Sequence, residues 1–145
     1  MKRILLILTA AVCVALCGCA AQNQTSSGTA APSATTRENA SYMQIDAAEA
    51  ARLMQTEKDY ILLDVRTEEE FKSGHIPNAV CIPNESITDK EPSELPDKDQ
   101  LILVYCRSGR RSKEAAQKLA DLGYTNVMEF GGIIDWTGET VTESE

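Results

Sequence analysis

The chain has 145 residues, and its 22 acidic against 14 basic side chains leave a net charge of −8. That length suits one ordinary domain plus a short extension, and the acidic balance argues against nucleic acid as a partner. With a single histidine and no CxxC, HExxH or acidic-loop pattern, the sequence offers no metal site, and no cofactor is expected.

Lys2 and Arg3 precede an apolar run at 4–16 that is too short and one-sided for a membrane span but suits a secretory leader. Leu16-Cys-Gly-Cys19 resembles a bacterial lipobox, in which small residues precede the cysteine that takes lipid. Cys19 fits that position, whereas Cys17 follows bulky Leu16; a plain leader cut nearby is the alternative. Residues 1–18 are therefore expected to be a lipoprotein signal peptide. Residues 19–41, mostly Ala, Ser, Thr, Gln and Asn, bury too little apolar surface to fold and read as a flexible tether. Lipid on Cys19 then places the protein in the cell envelope, exported and anchored to a bacterial membrane.

The folded part is expected at 42–138, with a polar tail at 139–145. A short strand at 42–45 leads to Asp46, which can cap a helix through Gln55 that buries Ala47, Ala50, Ala51 and Met54. Residues 60–65 form a strongly apolar strand, followed by Thr67-Glu-Glu-Glu70, a capping box, and a short helix ending near Gly74. Further strands are expected at 79–82, 101–105 and 126–130, and a helix at 112–122. The segment 83–100 is long, polar and proline-punctuated, with one helical turn. Unbroken apolar strands alternating with helices predict an α/β fold, a parallel sheet of about five strands with helices on both faces.

Leader removal leaves three cysteines, and lipid consumes Cys19. Cys81 and Cys106 are too few for a disulfide framework; Cys81 reads as a core residue, with pairing to Cys106 as a redox alternative. Cys106 stands where the 101–105 strand hands over to a helix, in Cys106-Arg-Ser-Gly-Arg-Arg111. Unpaired N–H groups of such a turn point at an anion, and a thiolate is one. With Arg107, Arg110 and Arg111 nearby, they lower a thiol's pKa and make it nucleophilic. Gly109 permits close backbone approach. The three arginines form a positive spot on an acidic chain, suited to a small anionic substrate.

Three blocks match a known family in order and spacing. They are Leu63-Asp-Val-Arg66 continuing through Glu70-Phe71 to Gly74-His-Ile-Pro77-Asn-Ala79, the loop Cys106-Arg-Ser-Gly-Arg-Arg111-Ser112, and Gly131-Gly132-Ile133 with Trp136. On these residues the domain resembles the single-domain rhodaneses, the sulfurtransferase family. Asn78 stands where that family often has glycine, and asparagine tolerates the left-handed turn.

The resemblance implies a sulfurtransferase that carries sulfane sulfur from a donor such as thiosulfate to cyanide or a thiol through a Cys106 persulfide. Cys106 is the implied catalytic residue, and Arg107, Ser108, Gly109, Arg110 and Arg111 the implied substrate-binding loop. Arg111, which closes the loop, is expected to hold the cradle together, with Arg107 and Arg110 at the entrance. Related phosphatases have one more residue between cysteine and arginine. The C-x4-R spacing here favours sulfur transfer over a phosphatase or arsenate reductase. The non-enzyme alternative is a sulfur carrier or interaction module, with a protein sulfur acceptor as partner. His75, Asp64, Arg66 and Trp136 read as structural.

Overall fold

The computed structural model describes residues 40–143. The leader, Cys19 and nearly all of the tether lie outside the described residues. Among the described residues, β1 (Met43–Gln44), β2 (Tyr60–Asp64), β3 (Val80–Cys81), β4 (Leu101–Cys106) and β5 (Val127–Gly132) form one sheet. Its order is β1-β5-β4-β2-β3, and every pairing is parallel. Three α-helices connect the strands: α1 (Ala47–Thr56), α2 (Glu68–Ser73) and α3 (Arg110–Asp121). This is the α/β architecture read from the alternating pattern.

Local chemistry starts α1 and α2 where the sequence pointed. Asp46 accepts the Glu49 N–H at 2.8 Å to begin α1. Thr67 and Glu70 form a reciprocal capping box for α2, and Gly74 closes that helix. Residues 47, 50, 51 and 54 were expected to line the buried face of α1. Ala50 and Leu53 are the residues fully covered, so the stripe is centred between the expected positions, with Ala47 and Met54 flanking it.

All six residues of β4 are buried, and their alternation divides the core in two. Ile102, Val104 and Cys106 pack with Ala115, Ala116 and Leu119 of α3, while Leu101, Leu103 and Tyr105 pack with Ala50 and Leu53 of α1. Covering such a leucine or isoleucine contributes about 1.5–3 kcal/mol relative to exposure. The segment between β3 and β4 holds the single expected turn, a 3-10 helix at Asn84–Ser86. It also buries Ile87 and Leu95 against the α3 side, which its polar composition concealed.

Several boundaries differ from expectation. β4 includes Cys106, and α3 begins at Arg110 rather than Ser112, so Arg110 and Arg111 open the helix. The described part of the tail is held to the domain: Val141 and His75 exchange backbone hydrogen bonds of 2.8 Å, and the Glu143 N–H reaches the Lys72 carbonyl at 3.3 Å. Asn78 adopts φ 67°, as expected for its turn.

Candidate active site

The chain leaves β2 toward β3 on one side of the sheet and leaves β4 toward β5 on the other. The crevice at the carboxyl ends of β2 and β4 is therefore a topological switch point, where open α/β sheets bind ligands. Cys106 ends β4 there, only 1% exposed, at the floor of the following loop.

The loop turns back over the sulfur. Gly109 sits at the start of α3 with φ 96°, a conformation that favours glycine, and its N–H donates to Cys106 Sγ at 3.1 Å. Burial pushes the thiol's pKa up, but the Ser112 hydroxyl and the N–H groups of Ser112, Ser108 and Gly109 outweigh it and hold the pKa below its ordinary value. No side chain caps α3. The sulfur occupies the place of a capping acceptor, so the helix start and the thiolate stabilise each other.

β5 supports the loop from below. Val104 is level with Glu129 but Cys106 with Gly132, a local irregularity that gives β5 one extra residue over this stretch. A Cβ on Gly132 would lie 2.6 Å from both the Arg107 carbonyl carbon and Ser108 Cα, so only glycine allows the loop to rest there.

The three arginines do not ring the sulfur as the sequence suggested. Arg111 donates to both carboxylate oxygens of Glu70, at 2.7 and 2.9 Å, tying the first turn of α3 to α2. This pairing, chiefly the hydrogen bond, lowers the Glu70 pKa to about 2. Arg110 is exposed and pairs with Glu114 at 2.7 Å. Arg107 and Ser108 are exposed at the outer face of the loop, where the Arg107 carbonyl accepts the Ile134 N–H at 3.3 Å. The reason for the separation is helical: Arg110 and Arg111 are consecutive helix residues and point in different directions.

The residues read as structural have structural surroundings. Asp64 and Arg66 form a buried pair at 2.6 Å, and Arg66 also donates to the Gly74 carbonyl at 2.7 Å. The His75 ring stacks on Phe71 at 3.7 Å, with Nδ1 2.9 Å from the Phe71 carbonyl oxygen. Trp136 packs near Phe130 with ring centres 6.0 Å apart.

Cys81 is half-buried at the sheet edge, not in the core. Its register partner Asp64 is also the partner of Tyr105, so β2 lies between Cys81 and β4. Two strand spacings are about 10 Å, beyond the roughly 7 Å that a disulfide spans, so this backbone excludes the pairing with Cys106.

Sequence reading missed Glu129, which is 2% exposed and reaches Ser112 at 2.6 Å. A signal was present: Glu129 shares the period-2 face of Val127 in an otherwise apolar strand. The tie from Glu70 to Arg111 spans 41 positions and had no local signature.

Residues 46–139 match the family described as Rhodanese-like domain. The chain belongs to this family. The rhodanese-like domain is 36% identical over 73 residues to "Thiosulfate sulfurtransferase PspE" of Escherichia coli, covering 50% of this chain and 70% of that protein. It is 38% identical over 94 residues to a protein named "Sulfurtransferase" from Allochromatium vinosum, covering 64% of this chain and 86% of that one. Among solved structures, a rhodanese-related protein from Thermoplasma volcanium superposes with a TM-score of 0.60 at 31% identity, covering 70% of this chain and all of that one.

Proposed function

We propose that this rhodanese-like domain moves sulfane sulfur from a small anionic donor such as thiosulfate to cyanide or a thiol, with Cys106 as the carrier. The observation that carries the reading is the convergence of N–H groups on a buried sulfur at the carboxyl end of β4, with the pKa lowered despite burial. The Cys106 thiolate attacks the outer sulfur of thiosulfate, and the S–S bond of the donor breaks with its electron pair leaving on sulfite. The resulting Cys–S–S⁻ is again an anion, suited to the same hydrogen-bond donors. Cyanide or a thiolate then attacks the terminal sulfur, and the Cys106 thiolate departs with the bonding pair. A thiol already ionised needs no general base for the first step.

The low exposure of the sulfur suits a donor whose reactive end is a single protruding atom. Arg107 and Arg110 at the loop surface are the groups placed to meet its charge, with the N–H groups of Ser108 and Gly109 beneath, while Arg111 maintains the loop through Glu70. That engagement also supports sulfur transfer over phosphate or arsenate chemistry, because both ends of the Arg111 guanidinium are already committed to a carboxylate. A protein thiol is a further candidate acceptor.

Intact-mass measurement of the reduced domain after incubation with thiosulfate tests the reading. One added sulfur on the wild type and none on Cys106→Ser is the expected result; an unmodified wild type would remove the enzyme assignment and leave an interaction module. For the leader, we propose export and lipid attachment at Cys19. Metabolic labelling with a radioactive fatty acid should mark the full chain, and a Cys19→Ser chain that keeps the label would refute it.

A further inference from the structure

The Ser112 hydroxyl has one proton and more acceptors than it can serve. It lies 2.6 Å from Glu129 Oε1, 3.1 Å from the Gly109 carbonyl oxygen and 3.2 Å from the Gly131 carbonyl oxygen, in addition to being near the Cys106 sulfur. The Glu129 contact is the shortest, in the range of charge-assisted O–H hydrogen bonds. Glu129 is 2% exposed, and Arg and Lys side chains form no ion pair with it among the described residues. Its Oε1 also accepts the Gly131 N–H at 2.8 Å, so the carboxyl is fixed from two sides directly beneath the sulfur loop.

We propose that Glu129 is a positioning residue of this site: by drawing on the single hydroxyl proton of Ser112 it competes with the Cys106 sulfur for that hydrogen bond. The inference rests on Cys106 being the sulfur carrier, but the contact itself does not. With the hydroxyl turned to Glu129, the sulfur keeps its backbone donors from Ser108, Gly109 and Ser112. Weakening the acceptor at 129 leaves the hydroxyl more fully to the sulfur, which stabilises the thiolate. A thiolate of lower pKa is also a weaker nucleophile, so Glu129 sets the balance between the ionised fraction and its reactivity. The other charged groups around the sulfur are Arg111 of α3, neutralised by Glu70 of α2, and the exposed Arg107 and Arg110 of the loop.

Direct titration of the Cys106 thiolate by ultraviolet absorbance, together with its alkylation rate by iodoacetamide in a Cys81→Ser background, reads the effect without any sulfur transfer. Glu129→Gln keeps an acceptor for the Gly131 N–H but offers the hydroxyl a weaker one. Its thiol should ionise at lower pH, with on the order of tenfold more thiolate at a pH below the wild-type midpoint, which corresponds to a shift of about one pKa unit. Ser112→Ala should lower the thiolate fraction, because its hydroxyl helps to hold the Cys106 pKa down in the wild type. In the double variant the gain from Glu129→Gln should disappear. An unchanged or less acidic thiol in Glu129→Gln, a thiolate fraction unchanged or raised in Ser112→Ala, or a gain that persists in the double variant would each overturn the proposal. Ser112→Ala keeps the test decisive should Glu129→Gln fail to fold. Failure of sulfur loading with these acidity shifts intact would strike the proposed function alone.

Discussion

Cys81 and Cys106 both end parallel strands at the carboxyl edge of one sheet, yet their thiols are pushed in opposite directions. Burial, followed by the negative charges of Asp64 and Glu68, drives Cys81 up to about 11. Cys106 is the more deeply buried of the two, and its pKa falls. What differs is what faces each sulfur: Cys81 has the Arg66 carbonyl oxygen at 3.8 Å, an acceptor, whereas Cys106 has N–H donors from the start of α3. Exposure is therefore a poor guide to a reactive cysteine, and the sign of the nearby backbone dipoles is a better one.

The sharpest way to break this contrast is to exchange the sulfurs for oxygen. Cys106→Ser should abolish sulfur loading and turnover, whereas Cys81→Ser should leave kcat/KM within about twofold, measured with thiosulfate and cyanide. Next in size is Gly132→Ala. Its added carbon meets Arg107 and Ser108, so the loop must lift from the sulfur; turnover should drop by about 10²-fold and the Cys106 thiol should titrate at higher pH. A variant that kept wild-type thiol acidity would show that β5 does not hold the donors in place.

Smaller effects sharpen the picture at the two ends of the pH range. Glu70 titrates at about 2 in the fold against an ordinary 4.5, so its contribution to stability is complete above pH 4.5 and is lost as pH falls toward 2. Denaturant titrations of Glu70→Gln should show a flatter acid limb than the wild type, by about 1 kcal/mol, since the pair with Arg111 is partly open to solvent screening. At the alkaline end, Cys81 stays protonated when folded while the unfolded thiol ionises from about 9 upward. Stability should thus decline between pH 9 and 11, and Cys81→Ala should flatten that slope, most of all near pH 9 where the tyrosines, with an ordinary value of 10, contribute least.

Much of the fold was legible because local chemistry and global pattern agree. The unbroken apolar run of β4 announced a strand covered on both faces, Asp46 and Thr67 announced helix starts, and the turn at Asn78 tolerated the expected φ. The place of Cys106 followed from the strand-to-helix handover alone. What stayed hidden depended on distant partners. Whether Arg111 faces the sulfur or Glu70 is decided by where α2 lands, and the burial of Ile87 and Leu95 in a polar connection is decided by the space beneath α3. Glu129 looked like an ordinary acidic residue in a strand until Ser112 was brought to it by the packing of α3 on β5.

One carboxylate joins two of these regions. Glu70 accepts the Thr67 N–H at 3.2 Å to begin α2 and, through the same Oε2, receives Arg111 at 2.7 Å. The opening turn of a short helix is thereby mechanically linked to the loop that surrounds the sulfur. Fraying of that helix would loosen the hold on Arg111, and with it the first turn of α3 whose N–H groups face the reactive atom.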